Sequence, residues 1–339
     1  MSFCDRQAIP EMLLRVKISS MQDENTSNND DRQADRSGID DSESSGDDES
    51  DISQDDSFER DIVMLKGFAF ISSTTAEDST FEMHRLVQRA TQRWLQLQKQ
   101  FGYWRAAFLS HLAHVYPNGD FENWKACQRL YPQVKVAVMM EPANDAEELD
   151  QAVICRHAGW YAYQMQWLGE AEDMLAKAYE IYGRISGEEN TMTLNSAGEL
   201  ACVYTSVDRT AEAEKLATKV LQTSRRLLGA DHPATLTRMQ NLAITCQSQG
   251  RIDDAEKLIM ELVDVNSRIL GSEHEHSLSS VYARAIIRAS QKRWTEAEEL
   301  FANVIEAKTR SLGLEHADTL HSMQELAFTW MKQKRWTEA

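Results

Sequence analysis

LGSEHEHSL (residues 270–278) has counterparts 42 residues away on either side, LGADHPATL (228–236) and LGLEHADTL (312–320), and this recurrence decides the fold. Working outward, repeat starts at Leu149, Thr191, Pro233, Glu275 and Ala317 bring further ladders into register. An alanine recurs at Ala171, Ala213, Ala255, Ala297 and Ala339, each preceded by an acid: Glu170, Glu212, Asp254, Glu296, Glu338. Four repeats share a glycine (Gly187, Gly229, Gly271, Gly313) and, three residues earlier, an arginine (Arg184, Arg226, Arg268, Arg310). A small residue marks the front half of each: Gly159, Ala201, Ala243, Ala285, Ala327. One period held at so many positions marks a repeat array. Such arrays stack like units on one another and present surface.

Each repeat reads as two helices. The front helix carries apolar residues at helical spacing, as in Leu236, Met239, Leu242, Ala243 and Cys246. A polar break follows, residues 247–253 in the third repeat. The back helix is expected to open on a capping box, Asp253 with Glu256 or Thr295 with Glu298. Its last-turn arginine complements the helix dipole, and the glycine ladder is expected to supply a left-handed terminating residue.

The three linker runs, together with RWTEAEEL (residues 293–300), resemble the tetratricopeptide repeats of kinesin light chains. Those repeats are longer than the common tetratricopeptide unit of about 34 residues. The resemblance covers residues 149–339, four full repeats and a truncated fifth, and implies an α-solenoid. The first repeat departs most, with Asn190 where the others carry His232, His274 and His316. The general tetratricopeptide pattern turns Arg156, Trp160, Gln240, Ile244, Tyr282, Ile286, Gln324 and Phe328 toward a concave groove. This stripe reads as mostly neutral, without the charged clamp expected for a C-terminal carboxylate. It suits an apolar or aromatic peptide, or a helix, held by groove burial.

Charge is concentrated elsewhere. The net charge is −18, of which the stretch from Met21 to Ser57, with fourteen acids against Arg32 and Arg36, supplies −12. That stretch has two isoleucines and no aromatic residue, too little apolar surface to offset chain entropy. Residues 20–57 are therefore expected to be disordered. The five cysteines are scattered without a CxxC pair, as in reduced intracellular proteins. No stretch has the length and apolarity of a membrane span, and no signal-peptide core is present. A cytoplasmic location is expected, with no membrane partner.

The N-terminal third reads as a second domain. Residues 58–65 form a short amphipathic helix stopped at Gly67. Residues 68–72 and 80–83 read as strands, and a further helix follows with Leu86, Val87, Ala90 and Trp94 on its buried side. The runs SFCDRQAIPEMLLR (residues 2–15), DIVMLKGFAFIS (61–72) and FEMHRLVQRATQRWL (81–95) resemble the winged-helix region that follows the nucleotide-binding core of NB-ARC proteins. These are STAND-type, NLR-like signalling ATPases. The resemblance assigns residues 1–19 and 58–97 to a partial winged-helix unit and 98–148 to a helical connector, within a mainly α chain. It also sets Met83-His84-Arg85 at the family's Met-His-Asp motif, which implies that His84 would contact ADP phosphate if an upstream nucleotide core were present. Arg85 departs from that motif.

No GxxxxGK[ST] loop occurs, so neither ATP hydrolysis nor a bound cofactor is expected of this chain. Both of its ends read as cuts within the family pattern. His111 with His114, and the cluster from Glu273 to His276, supply too few convergent ligands for zinc, and no catalytic constellation appears. Arg85, Arg89 and Arg93 form a basic stripe, yet the acidic chain makes a nucleic-acid partner unlikely. The reading is a protein-interaction module of an NLR-like signalling or scaffold protein, with self-association a further option. The alternatives are the regulatory part of a STAND switch ATPase and a kinesin light chain cargo adaptor. The latter lacks its expected heptad coiled coil here.

Overall fold

The structure is a computed structural model that describes residues 1, 3–5, 9–14, 49–74 and 80–333, with backbone alone for 49–57 and 74. The chain divides into two units, Met1–Ile154 and Cys155–Ala339.

The first unit contains β1 (Ile9–Pro10), α1 (Glu49–Gly67), β2 (Ile71–Thr74), β3 (Thr80–Met83), α2 (Arg85–Leu97), α3 (Phe101–Val115) and α4 (Trp124–Val138). β3 lies between β1 and β2 and is antiparallel to both. The register pairs Ile9 with Phe81 and Ile71 with Met83. Alternation then turns these four side chains to one face, where they meet Cys4 and Ile62 in a buried cluster. The expected order of helix, hairpin and helix is present, but sequence periodicity did not reveal β1. Two residues are too few to show an alternation.

Three expectations for this unit change. α1 begins at Glu49, inside the segment expected to be disordered, whose remainder up to residue 48 lies outside the described residues. α1 also runs through Gly67, and the residue that reverses the chain is Ala69, at φ 56°. Phe70 N–H bonds Leu65 O and Ala69 N–H bonds Lys66 O, a Schellman closure, so β2 starts at Ile71 rather than Phe68. On α2 the buried line is Val87, Thr91 and Leu95, while Leu86 and Trp94 are exposed. Both lines have helical spacing, and only the packing against β3 and α3 selects between them.

The second unit is the array. α5 (Asp145–Gln164) crosses the boundary between the units and is followed by α6 (Leu168–Ser186), α7 (Thr191–Ser206), α8 (Thr210–Leu228) and α9 (Pro233–Ser248). Then come α10 (Ile252–Leu270), α11 (Glu275–Ser290), α12 (Trp294–Leu312) and α13 (Ala317–Lys332). Odd-numbered helices are the front helices and even-numbered ones the back helices. The alanine ladder is fully buried at Ala171, Ala213, Ala255 and Ala297. Ala255 shares a cluster with Ala243 of the preceding front helix, and Ala297 with Ala285. The front ladder marks the closest approach: a Cβ on Gly159 would fall 2.8 Å from Leu175 Cγ.

The turns differ from the expected cap chemistry. Front helices close on a second 42-residue ladder, Gln166, Asp208, Gly250 and Lys292, each at φ 60–74°. The next residue returns its N–H to the front helix, as Arg251 N does to Cys246 O and Arg293 N to Arg288 O. That same arginine is the N-cap of the back helix. The turn is so tight that Asp253 and Thr295 fall inside the first helical turn, and no capping box forms. Instead the arginine holds the acid three residues on: Arg209 with Glu212, Arg251 with Asp254, Arg293 with Glu296.

The glycine ladder takes positive φ (87–95°) but extended ψ (158–164°). This is not the left-handed helical region but one essentially restricted to glycine. Beyond it, His232, His274 and His316 cap the next front helix, each Nδ1 accepting the N–H two residues on at 3.2–3.3 Å. Asn190 does the same through Oδ1 at 2.8 Å. The linker acids are tied as well: Arg226 pairs with Glu189, Arg268 with Asp231 and Arg310 with Glu273, each 37 residues apart.

Candidate partner-binding face

The eight stripe residues lie on front helices α5, α9, α11 and α13, at two positions of the 42-residue register one turn apart. α7 has Gly198 and Cys202 there. Successive front helices are linked along this face by side-chain rungs. Gln240 Nε2 donates to Ser279 Oγ at 3.3 Å. The Tyr282 hydroxyl lies 3.4 Å from His321 Nε2. Tyr282 also packs edge-on against Phe301, with Lys308 Nζ 5.4 Å from its ring centre. Burial, with Glu325 and Asp318 nearby, pushes its phenol upward, so it stays a neutral hydroxyl. Ile244 and Phe328 are each 47% exposed, and Gln324 is exposed too. Ile286 is half-buried beside Tyr282. This end of the stripe is open, apolar and aromatic.

The other end is not neutral. Arg156 makes a bidentate pair with Glu199 of α7, Nη2 to Oε1 at 2.7 Å, so its fork is already engaged. Trp160 stacks on Tyr163 with ring centres 5.1 Å apart. Arg238, only 5% exposed, donates to Asn195 Oδ1 at 2.7 Å and to Ala234 O at 2.6 Å. Its Nε has no acceptor. Burial lowers its pKa, Glu199 opposes that shift and Arg156 adds to it. Arg238 thus lies within electrostatic range of the Arg156–Glu199 pair without bonding to it. Arg238 and Glu199 were missed because each fits an ordinary helical surface position in sequence. Only the stacking of α7 between α5 and α9 brings them together.

His84 is the N-cap of α2, accepting Leu86 N–H at 3.2 Å through Nδ1, the geometry of the linker histidines. His274 serves as a cap as well, and among the described residues no group of three or more His, Cys, Asp or Glu side chains could hold a metal ion. Burial pushes the Cys155 thiol up to about 12, which keeps it protonated and poorly nucleophilic. Among the described residues no helix is long and apolar enough to cross a membrane.

Tetratricopeptide-repeat family models match residues 203–268 and 285–318. A nucleotide-binding leucine-rich repeat (NLR)-like protein of Hyaloscypha variabilis is 29% identical over 132 residues, 39% of this chain. The match spans only 13% of that relative's length. Among solved structures, a putative kinesin light chain of Podospora anserina with nearly identical TPR-like repeats is similar at 26% identity and TM-score 0.45, over 54% of this chain and 87% of that one. A Rap protein complexed with Competence and Sporulation Factor aligns at 12% identity and TM-score 0.47, over 74% and 77% of the two chains. The second unit thus carries tetratricopeptide repeats over the matched residues, an architecture that serves protein–protein interaction.

Proposed function

We propose that the front-helix face of the array holds a peptide or helix of a protein partner, as the recognition part of an NLR-like signalling or scaffold protein. The observation that carries this is the exposure of Ile244, Gln324 and Phe328 at the two register positions that Tyr282 and Ile286 share. Groove burial would anchor apolar or aromatic side chains there. The role is non-catalytic, and the setting is intracellular, in keeping with the scattered free thiols.

Peptide display against the purified chain tests this. Selected peptides should be rich in aromatic and apolar residues and should lose binding to Ile244→Asp with Ile286→Ala. Peptides that bind this variant as well as the wild type would place recognition elsewhere. The NLR-like setting rests on the Hyaloscypha relative and on the resemblance of residues 61–95 to a winged helix. In that setting His84 would contact phosphate only alongside a nucleotide-binding core.

A further inference from the structure

Front helix α7 interrupts the stripe. Where α5, α9, α11 and α13 carry Arg156, Gln240, Tyr282 and Gln324, it has Gly198. One turn on, where α5 and α9 have Trp160 and Ile244, it has Cys202. Glycine inside a helix is less favourable than alanine, and packing does not demand one here. A Cβ on Gly198 would meet nothing within 4 Å, whereas one on Gly159 would fall 2.8 Å from Leu175 Cγ. Both flanking side chains are held clear of this gap. Arg156 is drawn onto Glu199 by hydrogen bonds of 2.7 and 3.1 Å. Gln240 turns away from α7, donating to Ser279 Oγ of α11 at 3.3 Å.

The groups that border the gap define what fits it. Arg156 engages both oxygens of Glu199 through Nε and Nη2, which fixes the plane of its guanidinium. The flat face of such a plane stacks on aromatic rings, and the side chain is still 19% exposed. Trp160 stacks on Tyr163, whose hydroxyl accepts from Ser206 Oγ of α7 at 3.4 Å, so the α5 side is aromatic. Burial, with Glu199 adding to it, pushes the Cys202 thiol up to about 12, and the floor carries no charge. Half-exposed Ile244 stands on the α9 side. We propose that the gap over Gly198 is the specificity subsite of the array and takes one aromatic side chain of the bound peptide, its ring against the Arg156 guanidinium. This rests on the front-helix reading above and sharpens it: Gly198 sets where along the array the peptide's anchor sits.

The test uses peptides selected by display against the full 339-residue chain, labelled and titrated by fluorescence anisotropy. One aromatic position is expected to recur among them. Gly198→Leu fills the gap without a backbone clash, so its melting temperature should match or exceed that of the wild type. The selected peptides should nevertheless bind it roughly tenfold more weakly or worse. Gly198→Ala, which adds one methyl group and favours the helix, should show the same loss in smaller measure. Replacing the recurrent aromatic residue by alanine should weaken binding to the wild type but cost nothing further with Gly198→Leu, the signature of direct coupling. Peptides that lose binding to Ile244→Asp with Ile286→Ala, yet bind both Gly198 variants like the wild type, would leave the front-helix reading standing and overturn the subsite. Additive losses in the cycle, or selected peptides with no recurrent aromatic residue, would also overturn it. Peptides indifferent to every one of these substitutions would overturn both readings.

Discussion

In the array, Arg226, Arg268 and Arg310 each reach the linker acid of the preceding repeat, and Arg209, Arg251 and Arg293 each hold an acid one turn on. In the N-terminal unit, Arg85 and Arg89 have no ion-pair partner among the described residues, and Arg93 bonds only Gln96. The apolar side chains divide in the same way. The array buries its ladders at every turn, while α2 leaves Leu86, Trp94 and Leu97 at 54–68% exposure. Repetition explains the difference. A residue that serves one junction serves every junction, so charges and small side chains are matched across a fixed offset. A unit without repeats has each face set by its own neighbours.

The largest expected effect tests whether the ladders carry the array. Ala255→Glu places a charge where the wild-type side chain is fully buried, and should cost roughly 3–5 kcal/mol, the scale of an uncompensated buried charge. A denaturation midpoint like that of the wild type would refute the register. Next come the two kinds of turn. Gly271→Ala, at φ 87° and ψ 161°, should cost about 1–3 kcal/mol of backbone strain. Lys292→Gly, at φ 60°, should instead be neutral or stabilising by up to about 1 kcal/mol. Equal effects in urea titrations would mean the two ladders are not distinct.

A third prediction concerns one junction that departs from its neighbour. Asn266 donates to His276 O and Ser280 Oγ, and Lys308 makes the same two bonds one repeat later, to Asp318 O and Ser322 Oγ. Lys308 is only 8% exposed and makes no ion pair among the described residues, and burial lowers its pKa. Lys308→Asn should therefore stabilise the chain by about 1 kcal/mol at neutral pH. The unfolded chain holds the lysine proton more tightly than the folded one. Wild-type stability should then rise with pH between the lowered folded value and the ordinary lysine value, and the gain from Asn should shrink over that window. A gain that stays constant to high pH would show that Lys308 is not strained by its charge. The smallest effect is at the surface. Arg268 and Asp231 are 66% and 58% exposed, so Arg268→Ala should cost about 0.2–1 kcal/mol at low salt and less at high salt. Arg89→Ala should leave thermal stability unchanged, and a clear loss would reveal a partner for the α2 stripe.

What could be read from sequence follows the same division. The period, the alanine ladder and the helix pairs were legible because 42-residue recurrence averages out local ambiguity. The capping boxes were misplaced because Arg251 and Arg293 close one helix and open the next, a dual role that no single-helix signature encodes. The buried side of α2 was misassigned because Leu86–Trp94 and Val87–Leu95 both satisfy helical spacing. In the stripe, Ile244 and Phe328 are half exposed. Arg156 is instead engaged by Glu199, a residue 43 positions away that nothing local marks as its partner.

Among the described residues α13 is packed on one side only, and this has a dynamic consequence. Because each repeat is held only by its neighbours, opening can start at an end without disturbing the interior. Amide protons of α13 should exchange with solvent earliest in the array, and those of α9 and α10 late.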